Sequence, residues 1–340
     1  MKILITGPKE PWASESSYAR LFRQKGCEVL VWDDKAPYPI VGKRDWWHLN
    51  RGERVVYDAI ASMRFYKACR DFKPEVLFMP KTENIHSYAV KRALEDTHAR
   101  LVVWYPDHPF KADQTSMNIL RSMKRCDIFY IWGKFLIDSL RAAGCRRVEY
   151  LPFGFDPVLH PSETELSAEK LKKYTCDICF VGTWDEEREA ALEPLADFDL
   201  AIWGPYWPEK VRSTSPLAKC VRGAGLYCAE MADAFRAAKI VFNPLRSHNG
   251  SAHNIRTMEI TGVGGGPMIV RRTPEQAKEL FTEGEHLLCF DSADELRKQV
   301  ATLLSSSQMR SEMSAAARER VFKTHLLEFR IDQILHDLSS

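Results

Sequence analysis

Residues 176–192 read CDICFVGTWDEEREAAL. The run Ile178–Val181 is short, apolar and rich in residues that favour strands, which is typical of a strand covered on both faces. It ends at Gly182, and the acidic segment that follows has the composition of the first turn of a helix. The stretch therefore predicts one strand–turn–helix unit of a parallel sheet.

The same alternation of short apolar runs and helical spacing continues in both directions along the chain. The predicted strands are Ile3–Thr6, Val29–Trp32, Val76–Met79, Leu101–Tyr105, Ile128–Trp132, Val148–Leu151, Ile178–Val181, Leu200–Trp203, Ile240–Asn243, Met268–Val270 and Leu287–Phe290. Strands that alternate with helices predict parallel sheets joined by right-handed crossovers.

So many strands exceed what one open twisted sheet comfortably holds, and the proline-rich stretch 151–161 separates two groups of them. We therefore predict an α/β protein with two Rossmann-like domains, residues 1–157 and 158–340. The stretch from Gln308 to Leu338 has helical spacing throughout and predicts a C-terminal helical tail.

Composition and charge exclude several classes of protein. The chain has 340 residues, of which 45% are hydrophobic and 28% charged, as in ordinary globular proteins. Its 48 basic and 46 acidic side chains leave a formal net charge of +2, without the basic excess of a protein that mainly binds nucleic acid. No apolar run approaches the roughly 20 residues that span a bilayer, and the apolar start is too short for a signal peptide. We therefore expect a cytoplasmic protein without a transmembrane segment.

The loop 43–51 combines basic residues with Trp46 and Trp47. Exposed tryptophans beside basic residues could stack on a sugar ring or lie at a membrane surface, so peripheral membrane contact is one interpretation. We favour a buried pair that supports the loop, because tryptophan side chains are usually largely buried.

Nine cysteines scattered over a long chain do not resemble the dense, even framework of a secreted disulfide-rich domain. Cys176 and Cys179 form a C-x-x-C pair, which can be half of a zinc site or a redox pair. No second pair of this kind follows, and residues three apart on a strand point to opposite faces. We expect both to be core residues, and we predict no metal site and no cofactor.

In open parallel sheets, ligands bind outside the carboxyl ends of the strands, and two such domains facing each other would form a cleft there. The most informative segment of this kind is 251–266. A helix that begins near Asn254 would direct its backbone N–H groups and positive end at an anion such as phosphate. Arg256 and Glu259 would share a face, where the guanidinium could hold phosphate oxygens and the carboxylate could accept hydrogen bonds from ribose hydroxyls.

The glycines of residues 262–266, Gly265 among them, would let the backbone approach a ligand closely. The alternative interpretation of the segment is an Arg–Glu surface pair before a glycine-rich helix end. A second group follows the opening strand: Gly182, Thr183 and Arg188, of which the arginine could reach back over the strand end toward a diphosphate. A solvated arginine in a charged helix start is the more common alternative.

In the first half, Asp107 and His108 follow a buried strand at its carboxyl end. A carboxylate or an imidazole there could act as a base toward a hydroxyl group, since histidine titrates near neutral pH. A simple turn is an equal alternative, because prolines flank the pair. Gly7 and Lys81 also follow strands, and a surface lysine is the more common interpretation of Lys81.

Several of these motifs together resemble the CgeB-like glycosyltransferases of the spore-maturation type, relatives of the group 1 glycosyltransferases. The resemblance covers most of the chain. It rests on FVGTWDEER, on N-x-R-x-x-E at Asn254, Arg256 and Glu259, on the turn 262–266, on PEQAKELF and EHLLCFDSADEL, and on WYPDHP and YLPFGFD in the first half.

The resemblance implies a GT-B fold, with an acceptor-binding N-terminal domain and a C-terminal domain that binds a nucleotide diphosphate-sugar. Glu259 would hold the donor ribose, and Arg188 and Arg256 would neutralise the diphosphate without a divalent metal. It further implies sugar transfer, of the hexosyltransferase class and with retention of configuration, to a glycan, protein or small-molecule acceptor. The turn 262–266 departs from the family's usual pattern of small residues.

Three alternatives remain at this stage. One is a nucleotide-sugar epimerase of the same fold, and another is a non-catalytic GT-B module in a surface or spore-coat assembly. The third is an NAD-dependent Rossmann enzyme, but the sequence after the first strand lacks the spaced glycines that hold a pyrophosphate there.

Overall fold

The computed structural model describes residues 1–36, 49–81, 84–112, 114–162 and 165–339. The chain divides into two units, Met1–Pro152 and Phe153–Ser340. Each unit contains one sheet of six strands, and all the pairings between neighbouring strands are parallel. The predicted division after residue 157 falls within the segment 153–160, which belongs to the second unit. Trp46 and Trp47 lie outside the described residues.

The sheet of the first unit has the strand order β2-β1-β3-β4-β5-β6. Its strands are β1 Lys2–Thr6, β2 Glu28–Trp32, β3 Val76–Pro80, β4 Arg100–Tyr105, β5 Ile128–Ile131 and β6 Val148–Tyr150, and its helices are α1 Ser14–Gln24, α2 Arg51–Phe72, α3 Ser87–Thr97, α4 Met117–Met123 and α5 Ile137–Ala142. Every residue of the central strand β3 is buried, as the continuous apolar run predicts.

The sheet of the second unit has the order β12-β11-β10-β7-β8-β9. Its strands are β7 Cys176–Val181, β8 Leu200–Trp203, β9 Val221–Gly223, β10 Ala238–Asn243, β11 Met268–Arg271 and β12 Leu288–Phe290. Its helices are α6 Ala168–Tyr174, α7 Glu186–Leu192, α8 Trp207–Lys210, α9 Cys228–Ala237, α10 Ile255–Val263, α11 Ala293–Ser305, α12 Ser307–Thr324 and α13 Leu327–Ser339. The core of this unit includes Ile178 and Phe180 of β7, Ile240 of β10 and the fully buried Trp207.

Each predicted strand is present, with its ends moved by one or two residues at most. Strand β9 was not predicted, because it is three residues long and lies at the edge of its sheet, where its side chains are not fully buried. The prediction of core cysteines is confirmed: Cys176 and Cys179 are both buried on β7, and neither forms a disulfide.

Two features are absent from the described residues. Among these residues, no group of three or more histidine, cysteine, aspartate or glutamate side chains could hold a metal ion. The same residues include no helix that is both long enough and apolar enough to cross a membrane.

The C-terminal tail is helical but interrupted, so the prediction of helix throughout this stretch was wrong at one place. Helices α12 and α13 are separated at His325 and Leu326, and Leu326 forms an isolated bridge with Phe155. The backbone N–H of Phe155 donates to the His325 carbonyl at 2.8 Å, and that of Leu327 donates to the Phe155 carbonyl at 2.8 Å. The guanidinium of Arg330 also donates to the Phe153 carbonyl, at 3.3 Å from Nη2. These bonds attach the tail to the start of the second unit, and the helix is interrupted where Leu326 pairs with Phe155.

The turn after α10 packs against the end of α9. A Cβ atom at Gly265 would lie 2.2 Å from the carbonyl oxygen of Phe235, which is backbone and cannot move aside. The carbonyl of Gly265 also accepts a hydrogen bond of 2.6 Å from the Ser314 hydroxyl on α12. The structure therefore gives Gly265 a packing role, and its predicted part in ligand binding stays a prediction.

We expect Gly265→Ala to destabilise the protein by about 3 kcal/mol, because overpacking at this contact must displace backbone. The measurement is the midpoint of thermal or urea unfolding. Gly52→Ala in the first turn of α2 is the matched control, since its Cβ would meet nothing closer than 3.5 Å and alanine favours a helix by up to about 1 kcal/mol over glycine. Equal midpoints for the two variants would contradict the packing role.

Candidate functional site

Helix α10 begins beside the carboxyl end of strand β10. Asn254 caps it: the Asn254 Oδ1 accepts the backbone N–H of Thr257 at 3.1 Å. Asn243, the last residue of β10, exchanges two side-chain hydrogen bonds with Asn254, at 3.1 Å and 3.2 Å. The predicted ligand residue Asn254 is thus a helix cap held by the neighbouring strand, and the helix start is fixed at the sheet edge where ligands bind in this class of fold.

Arg256 and Glu259 lie one turn apart on α10, as predicted. The Arg256 Nη1 donates to the Glu259 Oε2 at 2.5 Å. The guanidinium also contacts the Met231 sulfur and lies 5.8 Å from the centre of the Phe235 ring, both on α9. Glu259 is only 8% exposed, so the two residues are not the solvated surface pair of the alternative interpretation.

Arg188 lies in the first turn of α7, which Asp185 caps through a 2.9 Å bond from the Arg188 backbone N–H. Its side chain turns back as predicted, because Nη1 donates to the Thr183 carbonyl at 2.7 Å. The side chain is 16% exposed, so it is not the solvated arginine of the alternative. Its Nε–H is buried without a hydrogen-bond partner in the described part of the chain. A buried donor of this kind is costly unless a ligand satisfies it.

A third arginine, Arg246, lies near Arg188 and was not among the predicted site residues. The Asp185 Oδ2 is 3.5 Å from the Arg188 Nη1 and 3.7 Å from the Arg246 Nη1, so one carboxylate lies between two guanidiniums. Burial, together with the positive charges of Arg246 and Arg256, lowers the pKa of Arg188 to about 10 against the opposing effect of Asp185. Arg188 stays charged at neutral pH, and an anion would relieve the repulsion.

Glu187 holds the loop that carries Arg246. Its carboxylate accepts hydrogen bonds from the Ser247 backbone N–H at 2.6 Å and from the Ser247 hydroxyl at 2.7 Å. This loop follows β10, one of the strand ends where the sequence predicts chemistry. Arg246 has no spacing pattern of its own, so that location was the one available signal.

Gly182 and Thr183 contribute backbone rather than side chains to this region. The Gly182 N–H donates to the Trp203 carbonyl at 2.9 Å, and its carbonyl accepts from the Trp207 Nε1 at 2.8 Å. Thr183 is exposed, and its carbonyl holds Arg188. Their direct contact with a ligand stays a prediction.

His253 belongs to the same segment but supports the fold. It is fully buried, and its Nε2 accepts the backbone N–H of Phe153 at 3.2 Å. The other ring nitrogen, Nδ1, therefore donates to the Glu275 Oε1 at 2.9 Å. Burial lowers the pKa of this imidazole. His253 thus anchors the first residue of the second unit.

In the first unit, the structure brings together two of the predicted residues. The Lys81 ammonium forms an ion pair with the Asp107 carboxylate, at the carboxyl ends of β3 and β4. His108 forms hydrogen bonds within the turn that follows β4. Its backbone N–H donates to the Gln114 Oε1 at 2.9 Å, and its Nδ1 accepts the Phe110 N–H at 3.3 Å. The turn interpretation therefore describes His108, whereas Asp107 and Lys81 form a charged pair about one-third exposed.

Gly7 lies against the side chain of Glu15: a Cβ atom at Gly7 would be 2.9 Å from the Glu15 Oε1. Burial raises the pKa of Glu15. Burial also raises the pKa of Asp34, which follows β2, to about 7. The Asp34 Oδ1 has no hydrogen-bond partner in the described ranges. Neither carboxylate was among the predicted site residues, although Asp34 lies two residues after the predicted strand Val29–Trp32.

The second unit therefore presents a cationic group made of Arg188, Arg246 and Arg256, beside the start of α10 and the carboxylate of Glu259. Such a group can bind a multiply charged anion while the carboxylate accepts hydrogen bonds from neighbouring hydroxyls. The charged pair of the first unit can exchange hydrogen bonds with polar ligands.

Comparison with known proteins gives one family match. Residues 188–336 match the family model described as Glycosyl transferase-like. None of the curated proteins compared with the chain gives a significant match.

Solved structures match along the whole chain at low sequence identity. HepE of Anabaena in complex with UDP-glucose is 12% identical, with a TM-score of 0.66 and coverage of 100% of this chain and 99% of that chain. The sucrose-phosphate synthase of Thermosynechococcus elongatus is 12% identical, with a TM-score of 0.72 and coverage of 100% and 98%. The chain has the GT-B fold.

A third structure with this fold has been assigned an activity other than sugar transfer. It is a Listeria monocytogenes protein, provisionally assigned as a UDP-N-acetylglucosamine 2-epimerase, with 13% identity, a TM-score of 0.63 and coverage of 100% of this chain and 96% of that chain. The family match and the GT-B neighbours support a relation to the group 1 glycosyltransferases.

We expect pyrophosphate to raise the melting temperature of the protein, because it would bind the three arginines in the folded state alone. At a free concentration of 100 times its Kd, such a ligand raises the free energy of unfolding by about 2.7 kcal/mol. Arg188→Met should abolish the shift without lowering the melting temperature of the unliganded protein, since it removes a desolvated, repelled charge. Differential scanning calorimetry measures both. Arg297→Met, at an exposed arginine paired with Asp197, is the control and should keep the shift; a full shift in Arg188→Met would remove that residue from the anion site.

Proposed function

We propose that the protein is a CgeB-like glycosyltransferase that moves a sugar from a nucleotide diphosphate-sugar to an acceptor. The observation that carries the proposal is the partly buried Arg188, whose Nε–H is buried without a hydrogen-bond partner in the described ranges and whose neighbours include two further arginines. A diphosphate would supply the negative charge that the three arginines attract and the oxygen atoms that can accept the Arg188 Nε–H. HepE, which shares the fold, was solved with UDP-glucose, and this supports a nucleotide-sugar donor.

The donor ribose would bind at Glu259. Its carboxylate lies next to the Arg256 guanidinium, so a ligand whose diphosphate meets the arginines would bring the adjacent ribose to the carboxylate. The sugar and the nucleotide base are left open, because neither the arginines nor Glu259 distinguishes them.

The chemistry follows from the charges. Breaking the bond between the sugar and the diphosphate leaves negative charge on the phosphate, which the three guanidiniums and the start of α10 would stabilise. Because cationic side chains supply this stabilisation, we propose that transfer needs no divalent metal or other cofactor. Retention of configuration and the hexosyltransferase class are proposed from the resemblance to the family.

We propose that the first unit binds the acceptor, with Asp107 as the group that assists its hydroxyl. Lys81 is paired with this carboxylate and holds it in place at the carboxyl ends of β3 and β4. His108 is a poorer base, since its Nδ1 already accepts a backbone hydrogen bond. Gly7 would lie on the acceptor side as well. A cytoplasmic location is also proposed, and the unpaired state of all nine cysteines supports it.

The second candidate function is nucleotide-sugar epimerisation. The fold shared with the Listeria monocytogenes protein favours it, and an epimerase would use the same anion site. Analysis of the sugar after incubation with a donor alone separates the two activities. An epimerase inverts the configuration of one carbon of the sugar. A transferase hydrolyses the donor slowly or leaves it unchanged, and in both cases the configuration at that carbon is retained. A non-catalytic module would bind the donor without either outcome.

Arg256→Ala and Glu259→Ala should each weaken nucleoside diphosphate binding by about 10- to 100-fold, since a hydrogen bond to a charged group contributes about 1.5–3 kcal/mol. Isothermal titration calorimetry with UDP, GDP and dTDP measures this. Arg222→Ala is the control, because that arginine pairs with Asp199 on the edge of the sheet. Unchanged affinity in both variants would remove the two residues from the site.

Asp107→Asn should lower kcat for transfer by about 100-fold and leave donor affinity unchanged, because the residue lies in the other unit and general-base assistance contributes 10²–10⁴. EDTA should leave the wild-type rate unchanged. Radiolabelled UDP-, GDP- and dTDP-sugars with a panel of glycan and small-molecule acceptors provide the assay. No binding, hydrolysis or transfer with any donor would contradict the proposed function.

A further inference from the structure

His160 contacts the carboxylate of Glu259 and has no part in the function proposed so far. Its Nε2 lies 3.5 Å from the Glu259 Oε1. His160 is 4% exposed, so the contact is shielded from water. The other carboxylate oxygen, Oε2, accepts from Arg256 at 2.5 Å. Each oxygen of Glu259 therefore faces one cationic or hydrogen-bonding side chain.

The position of His160 is fixed by the segment that opens the second unit. Its ring stacks on the Phe155 ring, with centres 6.0 Å apart and planes at 25°. Phe155 is fully buried and is held at both backbone groups by the bonds to His325 and Leu327. It also lies against α10, because a Cβ atom at Gly262 would be 2.4 Å from the Phe155 ring. The imidazole is therefore placed by packing and needs no ligand to order it.

The surroundings of the ring select one tautomer. The Nδ1 of His160 is buried without a hydrogen-bond partner in the part of the chain that the structure describes. A buried N–H without a partner costs more than a bare acceptor nitrogen, so the proton belongs on Nε2, the atom that faces Glu259. The Nε2–H can then donate toward Oε1. At 3.5 Å the two atoms are in contact without forming a short hydrogen bond, and contacts of this kind commonly tighten when a substrate binds.

We propose that His160 is a positioning residue, which holds the Glu259 carboxylate in the orientation that accepts hydrogen bonds from the ribose hydroxyls. With Oε2 bonded to Arg256 and Oε1 facing the His160 Nε2, rotation of the carboxylate is restricted, and its remaining lone pairs are directed at the ligand. The consequence is specificity: His160 would set the preference for a ribose over a 2′-deoxyribose nucleotide. This inference rests on the proposed function, because it takes Glu259 as the ribose-binding group.

The test compares affinities for matched nucleotides by isothermal titration calorimetry. The ligands are UDP, 2′-deoxy-UDP, GDP, 2′-deoxy-GDP and pyrophosphate. The wild type should prefer each ribonucleotide by about 10-fold, the effect of one hydrogen bond worth roughly 1.4 kcal/mol. His160→Asn and His160→Leu, which place no donor at the Nε2 position, should reduce this ratio to about 2 or less. Pyrophosphate affinity should stay within about 2-fold in both.

His160→Gln is the rescue variant. Its amide nitrogen reaches about as far as Nε2, so it should restore most of the preference for the ribonucleotide. A merely structural histidine would not give this difference between glutamine and asparagine. His286→Asn, at a histidine of the same unit that packs on Phe281 and accepts the Thr282 N–H, is the matched control and should keep the wild-type ratio.

Two results would overturn the inference alone. One is an unchanged ratio in whichever of the asparagine and leucine variants folds, as judged by its melting temperature. The other is a wild type that binds pyrophosphate and both kinds of nucleotide without preference between the two sugars. A wild type that binds neither pyrophosphate nor any nucleotide would overturn the proposed function first, and the inference with it.

Discussion

Two asparagine side chains join the end of strand β10 to the start of helix α10, and the candidate donor site depends on this junction. The amide of Asn243 bonds to that of Asn254 in both directions, while the Asn254 oxygen also caps the helix. Thr257, in the first turn, donates to the buried Gln276. Buried polar groups are stable only when they are bonded, so this set of bonds allows one position for the helix start. Once that start is fixed, the pitch of the helix places Arg256 and Glu259 on the face they occupy.

Much of the fold is encoded locally and could be predicted from the sequence. Parallel strands are covered on both faces, so runs such as Val76–Met79 and Ile178–Val181 consist of apolar residues and are easy to recognise. Edge strands lack this signal, which is why Val221–Gly223 escaped detection. The common face of Arg256 and Glu259 was also predictable, because it depends only on helical periodicity.

The rest of the site could not be predicted, because it depends on contacts between distant parts of the chain. Glu187 holds the loop of Arg246 from 60 residues away, and no spacing rule connects the two. His160 lies in a stretch whose prolines indicate only a linker, yet it contacts a residue of α10. Arg188 illustrates the same limit. The sequence shows that the residue is an arginine, but its partial burial and its proximity to two other arginines exist only in the folded unit. At Gly265 the sequence suggested close approach of a ligand. In the fold, a glycine is needed there because the backbone of Phe235 leaves no room for a Cβ atom.

The bonds between Phe153 and Arg330 have a consequence for the order in which the protein folds. These residues are 177 positions apart, and Phe155 pairs with Leu326 and Leu327 in the same region. During synthesis the first unit can complete its sheet while the second is still being made, since its six strands are contiguous in sequence. The second unit must wait for its last helices, because the segment that places His160 is held by them. Until then Phe155 is an exposed apolar side chain on a nascent chain, the kind of surface that chaperones recognise. The contact between Phe153 and Arg330, which are separated by 177 residues, is non-local, and we expect it to form late in folding of the second unit.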